Sequence, residues 1–557
     1  MAETIKIICE NNNKSLYVEM GTPIADVINM VAVKSSQPFL AAYVNNKIRE
    51  LSYRVFSPVS VRFIDITHFE GMRVYQRTLF FILHKAVTDS LPEKRLKIRH
   101  SVAKGFYCEL DDNSDVSQEE IGIIRKRMDE IIAQNLPIVR ETVLFTEAEE
   151  IWNQYGFHDK VQLMETRPHL YVTIDRLADL PGFFYGTLAP STGYITLFDL
   201  RKYFKGMYLA VPQRTQPDKL EKMIPQNKMF DIFTEYKNWV NILGVATIGS
   251  LNSMILGGKT SELIKIAESF HEKKLGHIAD LILERNKSEN TKIVLISGPS
   301  SSGKTTFAQR LGIQLRILGL EPVMISLDNY FVDRDKTPID ADGEHDFEAL
   351  EAVNVPLFNE HLLELLDGKE VSVPRYDFFT GLSVPDSFKL QLNDKSVLII
   401  EGIHALNPNL TPMIESRLKF HIYISALTSV SMDDLARIPT TDNRLIRRIV
   451  RDHEFRNNNA TATIRRWQSV RRGEDAHIFP YQEQAEIMFN SSLFFELSIL
   501  KNYAEPLLHD VPDTVPEYAE AQRLLTFLDL FVPIKDDEVP PTSILREFIG
   551  GSSFDYE

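Results

Sequence analysis

The feature that most constrains the fold is a short apolar run that passes through a glycine-rich loop into a helix. It reads KIVLISGPSSSGKTTFAQRLGIQL over residues 292–315. Gly298 and Gly303 permit a tight turn that aims backbone N–H groups at one point, and the N-terminus of the following helix adds partial positive charge. Such a turn is typical of loops that hold phosphate oxygens, so the segment predicts a phosphate site.

A nucleotide bound at this loop would also contact side chains. Lys304 can reach the β- and γ-phosphates, and the hydroxyl of Thr305 can ligate Mg²⁺. ATP and Mg²⁺ are therefore the expected cofactors, and a glycine-serine loop without a ligand is the alternative. The residues predicted to bind the nucleotide are Gly298, Pro299, Ser300, Ser301, Ser302, Gly303, Lys304, Thr305 and Thr306.

Short apolar runs alternate with helical stretches from Lys292 onward. This alternation predicts an α/β domain with a mostly parallel sheet and helices on both faces. Ligands of such sheets bind at the carboxyl ends of the strands. The predicted strands are KIVLIS (292–297), PVMISL (322–327), SVLIIE (396–401), FHIYIS (420–425) and FFELSI (494–499).

Two carboxylates stand where these strands end. Asp328 follows PVMISL directly, and Glu401 ends SVLIIE. A carboxylate at this edge can hold hydrated Mg²⁺ or accept the proton of an attacking hydroxyl. Capping of the next helix is the alternative for each.

An arginine-rich stretch, NRLIRRIVRDHEFRNNN, covers residues 443–459. Mobile arginines can neutralise the charge that develops during phosphoryl transfer while they close a site. The stretch therefore predicts a lid, with a solvated helix face as the alternative. Its arginines are Arg444, Arg447, Arg448, Arg451 and Arg456.

Residues 292 to about 510 resemble the uridine kinase and phosphoribulokinase family of P-loop kinases. GPSSSGKT, SLDNYF, DFEAL, VPRYDF, LIIEGIHAL and RLIRRIVRD occur in that family's order and spacing. The resemblance implies ATP-dependent phosphorylation of the 5′-hydroxyl of a nucleoside. A kinase of a sugar phosphate or another small alcohol is one alternative. A regulator associated with RNA or the ribosome and switched by ATP is the other.

The resemblance also implies roles for single residues. Asp328 corresponds to the general base, and Glu401 helps Thr305 to hold Mg²⁺. Asp346 in DFEAL corresponds to the carboxylate that grips ribose hydroxyls, and Tyr376 in RYDF to the aromatic wall against the base. The arginines that match the family's lid are Arg448, Arg451 and Arg456, which join Asp328 and Lys304 as the expected catalytic residues.

The sequence departs from this family at one position. Uridine-cytidine kinases carry a histidine shortly after the YDF triplet, where it reads the pyrimidine edge. Here YDF is followed by FTGLSVPDS, and Gly381 stands near the place of that histidine. The departure leaves the phosphoryl-transfer residues intact and predicts a base site that is not a strict pyrimidine reader.

The N-terminal half resembles parts of threonyl-tRNA synthetase. Residues 4–66 are similar to its ubiquitin-like α+β TGS domain, and residues 68–212 to its α+β editing domain through KGFYCELDD and YGTLAPSTGY. That editing domain carries two histidines on one helix, then a cysteine and a histidine. The aligned positions here are Arg77, Phe81, Phe184 and Leu188, so the resemblance implies that the metal ligands and the hydrolase chemistry are lost.

These features predict five regions and a set of partners. The net charge of −15 argues against broad nucleic-acid binding, and two cysteines without a disulfide framework suit a cytoplasmic location. No apolar run reaches the roughly 18 residues of a membrane helix, and no signal peptide is evident, so no membrane partner is expected.

A nucleoside or related small molecule is the expected substrate, RNA is a candidate partner of the TGS-like domain, and self-association into a homo-oligomer is open. The predicted regions are 1–67 (TGS-like), 68–212 (editing-like), 213–290 (helical linker), 291–510 (kinase) and 511–557 (C-terminal helix and tail).

The C-terminal segment PPTSILREFIGGSSFDYE, residues 540–557, leaves two interpretations open. A disordered acidic tail is one of them. The other is docking on the kinase domain, because SILREFIGG carries an apolar face and ends in glycine.

Overall fold

The computed structural model describes residues 3–110, 115–167, 169–340, 343 and 345–556. The N-terminal module is built from β1 (Thr4–Cys9), β2 (Lys14–Glu19), β3 (Thr22–Pro23), α1 (Ile24–Val31), β4 (Phe39–Val44), β5 (Lys47–Arg49), β6 (Arg54–Val55) and β7 (Val59–Asp65). Its main sheet has the order β2-β1-β7-β4-β5, and β1 runs parallel to β7. Period-two burial along β1 turns one face toward α1, which confirms the predicted small α+β module.

The second module surrounds one long buried helix, α2. Its elements are α2 (Phe69–Ser90), β8 (Leu96–Val102), β9 (Gly105–Leu110), α3 (Gln118–Ala133), β10 (Ile138–Leu144), α4 (Phe145–Gln154), α5 (His158–Thr166), β11 (Tyr171–Leu177), β12 (Leu180–Gly182), β13 (Asp199–Tyr203) and β14 (Gly206–Ala210). The sheets have the orders β13-β14-β9-β8 and β10-β11-β12. Because α2 is apolar on most of its circumference, it packs among these elements rather than on the surface.

Three helices join the two halves of the chain: α6 (Asn227–Leu243), α7 (Ile248–Leu256) and α8 (Thr260–Glu289). Buried residues such as Val240, Leu251 and Leu275 share one apolar core with the kinase sheet. The segment predicted as a helical linker therefore forms part of the core that supports the parallel sheet.

The kinase part is a five-stranded, wholly parallel sheet with helices on both faces. Its elements are β15 (Ile293–Ser297), α9 (Lys304–Ile317), β16 (Glu321–Ser326), α10 (Val355–Leu366), β17 (Val371–Asp377), β18 (Leu382–Leu390), β19 (Ser396–Glu401), β20 (Lys419–Ser425), α11 (Thr440–Arg456), α12 (Ala460–His477), β21 (Ile487–Asn490) and α13 (Glu496–His509). The sheet order is β16-β19-β15-β20-β21, and β17 and β18 form a separate hairpin. The predicted parallel sheet is confirmed.

One predicted strand was wrong. FFELSI, residues 494–499, leads into helix α13, and the last strand is the preceding IMFN segment. Short apolar runs cannot be assigned to strand or buried helix by periodicity alone. Here the helix buries nearly all of its first turns, so its sequence is as apolar as that of a strand.

The C-terminal segment contains α14 (Tyr518–Leu528) and the short α15 (Arg546–Ile549). Ile544, Leu545 and Phe548 are fully buried against the kinase core, so the docked interpretation is right and the disordered tail is wrong. No helix among the residues that the structure describes is long and apolar enough to cross a membrane.

A partly buried ion network ties the second module to the region predicted as the kinase domain. Arg73 on α2 contacts Glu520 on α14, with 2.7 Å between Nη1 and Oε2, and lies 3.7 Å from Asp442 on α11. Arg523 on α14 also pairs with Asp442 at 2.7 Å. The helix that carries the predicted lid arginines is thus ion-paired at its first turn to both flanking regions.

Candidate active site

The glycine-rich loop joins the buried strand β15 to α9 at the carboxyl edge of the sheet. Gly303 has a φ of +81°, a conformation that glycine adopts without strain. At Gly298 a Cβ atom would lie 2.1 Å from the carbonyl oxygen of Ile424, so only glycine fits there. Lys304 donates to the carbonyl oxygens of Gly298 (3.1 Å) and Pro299 (3.4 Å) of its own loop. These contacts hold the ammonium group over the loop, where a phosphate group would lie.

The two predicted carboxylates lie at the same edge of the sheet. Ser326 on β16 is the register partner of Glu401 on β19, and Asp328 follows two residues later. Burial raises the pKa of Glu401 to about 7, with Lys304 opposing that shift. Burial also raises the pKa of Asp328, against the lowering effects of Lys304 and of Arg456. These buried carboxylates are costly to ionise without a cation beside them.

A divalent cation fits between Thr305 and Glu401. The Thr305 hydroxyl donates to Oε1 of Glu401 at 3.4 Å, which leaves two hard oxygen atoms facing the loop. Mg²⁺ favours such oxygen ligands and completes its coordination with water and phosphate. The chemistry of this pair therefore suits Mg²⁺.

The arginines of α11 divide into two sets. Arg444 forms a buried ion pair with Glu474, and Arg447 with Glu496, so these two have structural partners. They also donate to the carbonyl oxygens of Ser300 (3.1 Å) and Ser301 (3.3 Å) respectively, which fixes the loop.

The remaining three arginines lie closer to the acidic edge. Arg448 donates to the Ser300 hydroxyl at 2.8 Å, and Arg451 pairs with Asp452 at 2.7 Å. Arg456 is half exposed, and the charge of Arg451 together with burial lowers its pKa to about 10. Crowded cations that depress one another's pKa are favourable positions for an anion.

The predicted acceptor residues do not all converge. Oδ1 of Asp346 accepts the backbone N–H of Glu348 at 3.1 Å, so half of that carboxylate caps its own loop. Tyr376 is buried, packs edge-on against Phe331 and Phe378, and lines a cavity of about 460 Å³ on the β17–β18 hairpin. The P-loop residues are not among those lining this cavity.

Gly381 could not be replaced by a histidine without rearrangement. Its φ is +76°, and a Cβ atom would lie 2.7 Å from the guanidinium carbon of Arg334. Arg334 in turn donates to the carbonyl oxygen of Phe378 at 2.8 Å. A guanidinium group therefore occupies the space beside this turn.

Two acidic residues at the site were missed by the sequence reasoning. The Ser300 N–H donates to Oε1 of Glu474 at 3.1 Å, which places a carboxylate under the loop. Burial and the nearby Glu474 raise the pKa of Glu348 to about 7, and its Oε2 has no hydrogen-bond partner within the described part of the chain. Glu348 lies two residues after Asp346 in the DFEAL motif, so this motif could have identified Glu348 as a site residue. Glu474 belongs to a distant helix and gave no such signal.

The space at the aligned ligand positions of the second module, here called the filled pocket, is occupied by the module's own side chains. Phe81 and Phe184 contact each other with ring centroids 4.9 Å apart, and both are buried. Arg77 donates to the carbonyl oxygen of Thr187 at 3.0 Å and pairs with Glu70 at 3.1 Å. Across the described ranges, no group of three or more His, Cys, Asp or Glu side chains could hold a metal ion.

Known proteins resemble the two halves of the chain separately. The N-terminal region is similar to the threonine–tRNA ligase of Clostridium kluyveri, at 27% identity over 183 residues, 33% of this chain and 29% of the ligase. The ligase of Rubrobacter xylanophilus is 26% identical over 199 residues, 35% of this chain and 31% of its own length. The chain thus spans about three tenths of the length of these relatives.

The second half is similar to kinases. A solved structure of a possible uridine kinase from Bacillus stearothermophilus aligns at 19% identity and a TM-score of 0.25, over 36% of this chain and 89% of that one. Residues 293–493 match the Phosphoribulokinase / Uridine kinase family, and this range contains the loop, both carboxylates and the arginine helix. Over these residues the chain therefore carries a domain similar to the phosphoribulokinase and uridine kinase family of P-loop kinases.

Proposed function

We propose that the chain transfers the γ-phosphoryl group of ATP to the 5′-hydroxyl of a nucleoside. The observation that carries this proposal is the meeting of Lys304, Thr305, Asp328 and Glu401 at the carboxyl ends of three adjacent parallel strands. A phosphate-binding lysine, a pair of metal-binding oxygens and a separate carboxylate are the groups that phosphoryl transfer to an alcohol requires.

Each residue then has one task. The loop amides and Lys304 bind the β- and γ-phosphates, while Thr305 and Glu401 would hold Mg²⁺. When bound, that ion neutralises charge on the phosphate oxygens. Asp328 accepts the proton of the acceptor hydroxyl, and its raised pKa makes it a better base near neutral pH.

The arginines and the acceptor loop complete the proposed mechanism. Arg448, Arg451 and Arg456 neutralise the transferred group in the transition state. Asp346 and Tyr376 position the nucleoside, and both contacts would be indifferent to the identity of its base. Because Gly381 has no side chain to read a pyrimidine edge, we expect activity on more than one nucleoside, or a purine preference.

The test is ADP release measured with uridine, cytidine, adenosine, guanosine, inosine and a set of sugar phosphates. Asp328→Asn should lower kcat by about 10²-fold and leave the KM for ATP unchanged, since a base acts only on the acceptor. Asp335→Asn, on an exposed aspartate of the same segment, is the matched control. A parallel loss of ATP affinity would make Asp328 a metal ligand instead. A preference above about 10³-fold for both pyrimidine nucleosides would contradict the open base site.

A further inference from the structure

The C-terminal residues 543–556, here called the strap, run across the phosphate loop. Arg546 anchors the strap on one side through Asp536, at 2.7 Å, and the carbonyl oxygen of Val539, at 2.9 Å. Phe548 lies 4.8 Å from the guanidinium carbon of Arg447, the arginine that holds the loop carbonyls. The strap is therefore packed on the same elements that shape the nucleotide site.

The strap also contacts the loop directly. Oε2 of Glu547 accepts the backbone N–H of Thr306 at 3.2 Å and its hydroxyl at 2.6 Å. The hydroxyl of Tyr556 lies 3.0 Å from the same Thr306 oxygen. Ile544 covers Gly303, where a Cβ atom would be 2.5 Å from its Cγ2 atom. Together these contacts enclose Thr306, which is fully buried.

The position of Glu547 matters because of what Thr306 donates. Thr306 is the third residue of α9, and N–H groups of a first helical turn have no acceptor within the helix. In a phosphate-binding loop such an N–H group is aimed at a phosphate oxygen. A carboxylate already occupies it here, and a second anion at the same N–H group would be repelled. Packing of the strap against a bound nucleotide base would not require a carboxylate at this N–H group.

The tip of the strap has a pivot. Gly550 and Gly551 both have positive φ values, +85° and +72°, which other residues adopt only with strain. Beyond them, the Phe554 N–H and the Tyr556 hydroxyl both donate to Oγ of Ser552, and Tyr556 also contacts Thr306. Residues 552–556 can therefore leave the loop by rotation at this pivot, whereas Glu547, which precedes the pivot, leaves Thr306 by rotation of its own side chain while Arg546 stays in place.

We propose that the strap is an autoinhibitory latch, in which Glu547 occupies the phosphate position at Thr306 and a nucleotide must displace it. This inference rests on the proposed function only in that the loop binds a nucleoside triphosphate. In this proposal the strap controls the affinity of the loop for nucleotide and does not alter the chemical step.

The test measures binding of a non-hydrolysable ATP analogue with Mg²⁺ to the full chain by calorimetry. Glu547→Gln keeps the shape and removes the charge, so the analogue should bind about 10-fold more tightly, the equivalent of about 1.4 kcal/mol. Glu538→Gln, on an exposed residue just before the strap, should leave the Kd unchanged. Equal or weaker binding by Glu547→Gln would overturn the latch.

Hydrogen exchange of the unmodified chain gives a second measurement that needs no variant. The analogue should accelerate exchange in residues 550–556 if the strap is displaced. Slower exchange there would mean that the strap forms part of the closed nucleotide site, and the latch would be wrong. Failure of all forms to bind the analogue would refute both the latch and the proposed function. Binding that Glu547→Gln does not tighten would refute the latch alone.

Discussion

The filled pocket of the second module and the phosphate loop differ in how their charges are compensated. In the first, Arg77 pairs with Glu70 and a backbone carbonyl, and two phenylalanine rings fill the remaining space. In the second, Glu401 and Glu348 have pKa values raised by burial to about 7. A pocket whose space is filled and whose charges are paired leaves no room for a ligand, whereas carboxyl groups with raised pKa values beside a phosphate loop suit a site that binds a cation.

Removal of the loop lysine should have the largest effect. Lys304→Ala removes the cation nearest the transferred phosphate, so kcat/KM should fall by about 10²–10³-fold, or about 3–4 kcal/mol of transition-state stabilisation. The measurement is steady-state ADP release with the best nucleoside found. Lys395→Ala, at an exposed lysine, is the control. A wild-type rate from Lys304→Ala would show that this loop is not the site of phosphoryl transfer.

Opening the filled pocket should affect stability rather than catalysis. Phe81→Ala leaves a cavity beside Phe184, so the free energy of unfolding should fall by about 3 kcal/mol. Denaturant unfolding measures the loss, and the kinase rate per folded molecule should stay unchanged. Leu170→Ala, at a side chain 71% exposed in the same module, should cost little. Loss of the kinase rate without loss of stability would mean that this pocket still serves the chemistry.

The raised pKa of Glu348 predicts a pH dependence of stability. Between its ordinary value of 4.5 and about 7, the folded chain binds the proton more tightly than the unfolded chain. The free energy of unfolding should therefore fall as pH rises through this range, by about 1–3 kcal/mol from this residue. Glu348→Gln should flatten that part of the profile in the absence of nucleotide, whereas Glu351→Gln, at an exposed neighbour, should not. Identical profiles for all three proteins would contradict the assignment.

The smallest effect is expected from removal of zinc, because the chain should bind almost none. With Arg77, Phe81, Phe184 and Leu188 at the aligned ligand positions, purified full-length chain should hold only substoichiometric zinc. A chelator should not lower its melting temperature, and the chain should not hydrolyse mischarged aminoacyl-tRNA. Elemental analysis that found one tightly held zinc per chain would remove the contrast between the two sites.

The sequence could predict features that are formed by contiguous residues. It could not predict which distant residues contact those features in the folded chain. The loop at Gly298–Thr306 was predictable because strand, turn and helix are contiguous in the chain. Glu474 and Glu547 reach the same loop from positions more than 170 residues away, 174 from Ser300 and 241 from Thr306. The assignment of 494–499 as a strand failed because burial, and not propensity, decides the conformation of a short apolar run.

The ion network of Arg73, Glu520, Arg523 and Asp442 means that substitutions in one half of the chain affect charged residues in the other half. Arg73 lies on α2 and Asp442 on α11, whereas Glu520 and Arg523 lie on α14, and each carboxylate of the network has a guanidinium group beside it. In a chimaera whose N-terminal half had no arginine at position 73, Glu520 and Asp442 would share Arg523 as their remaining cationic partner in this network. A substitution at position 73 in one half of the chain therefore changes the charge balance at Glu520 and Asp442 in the other half.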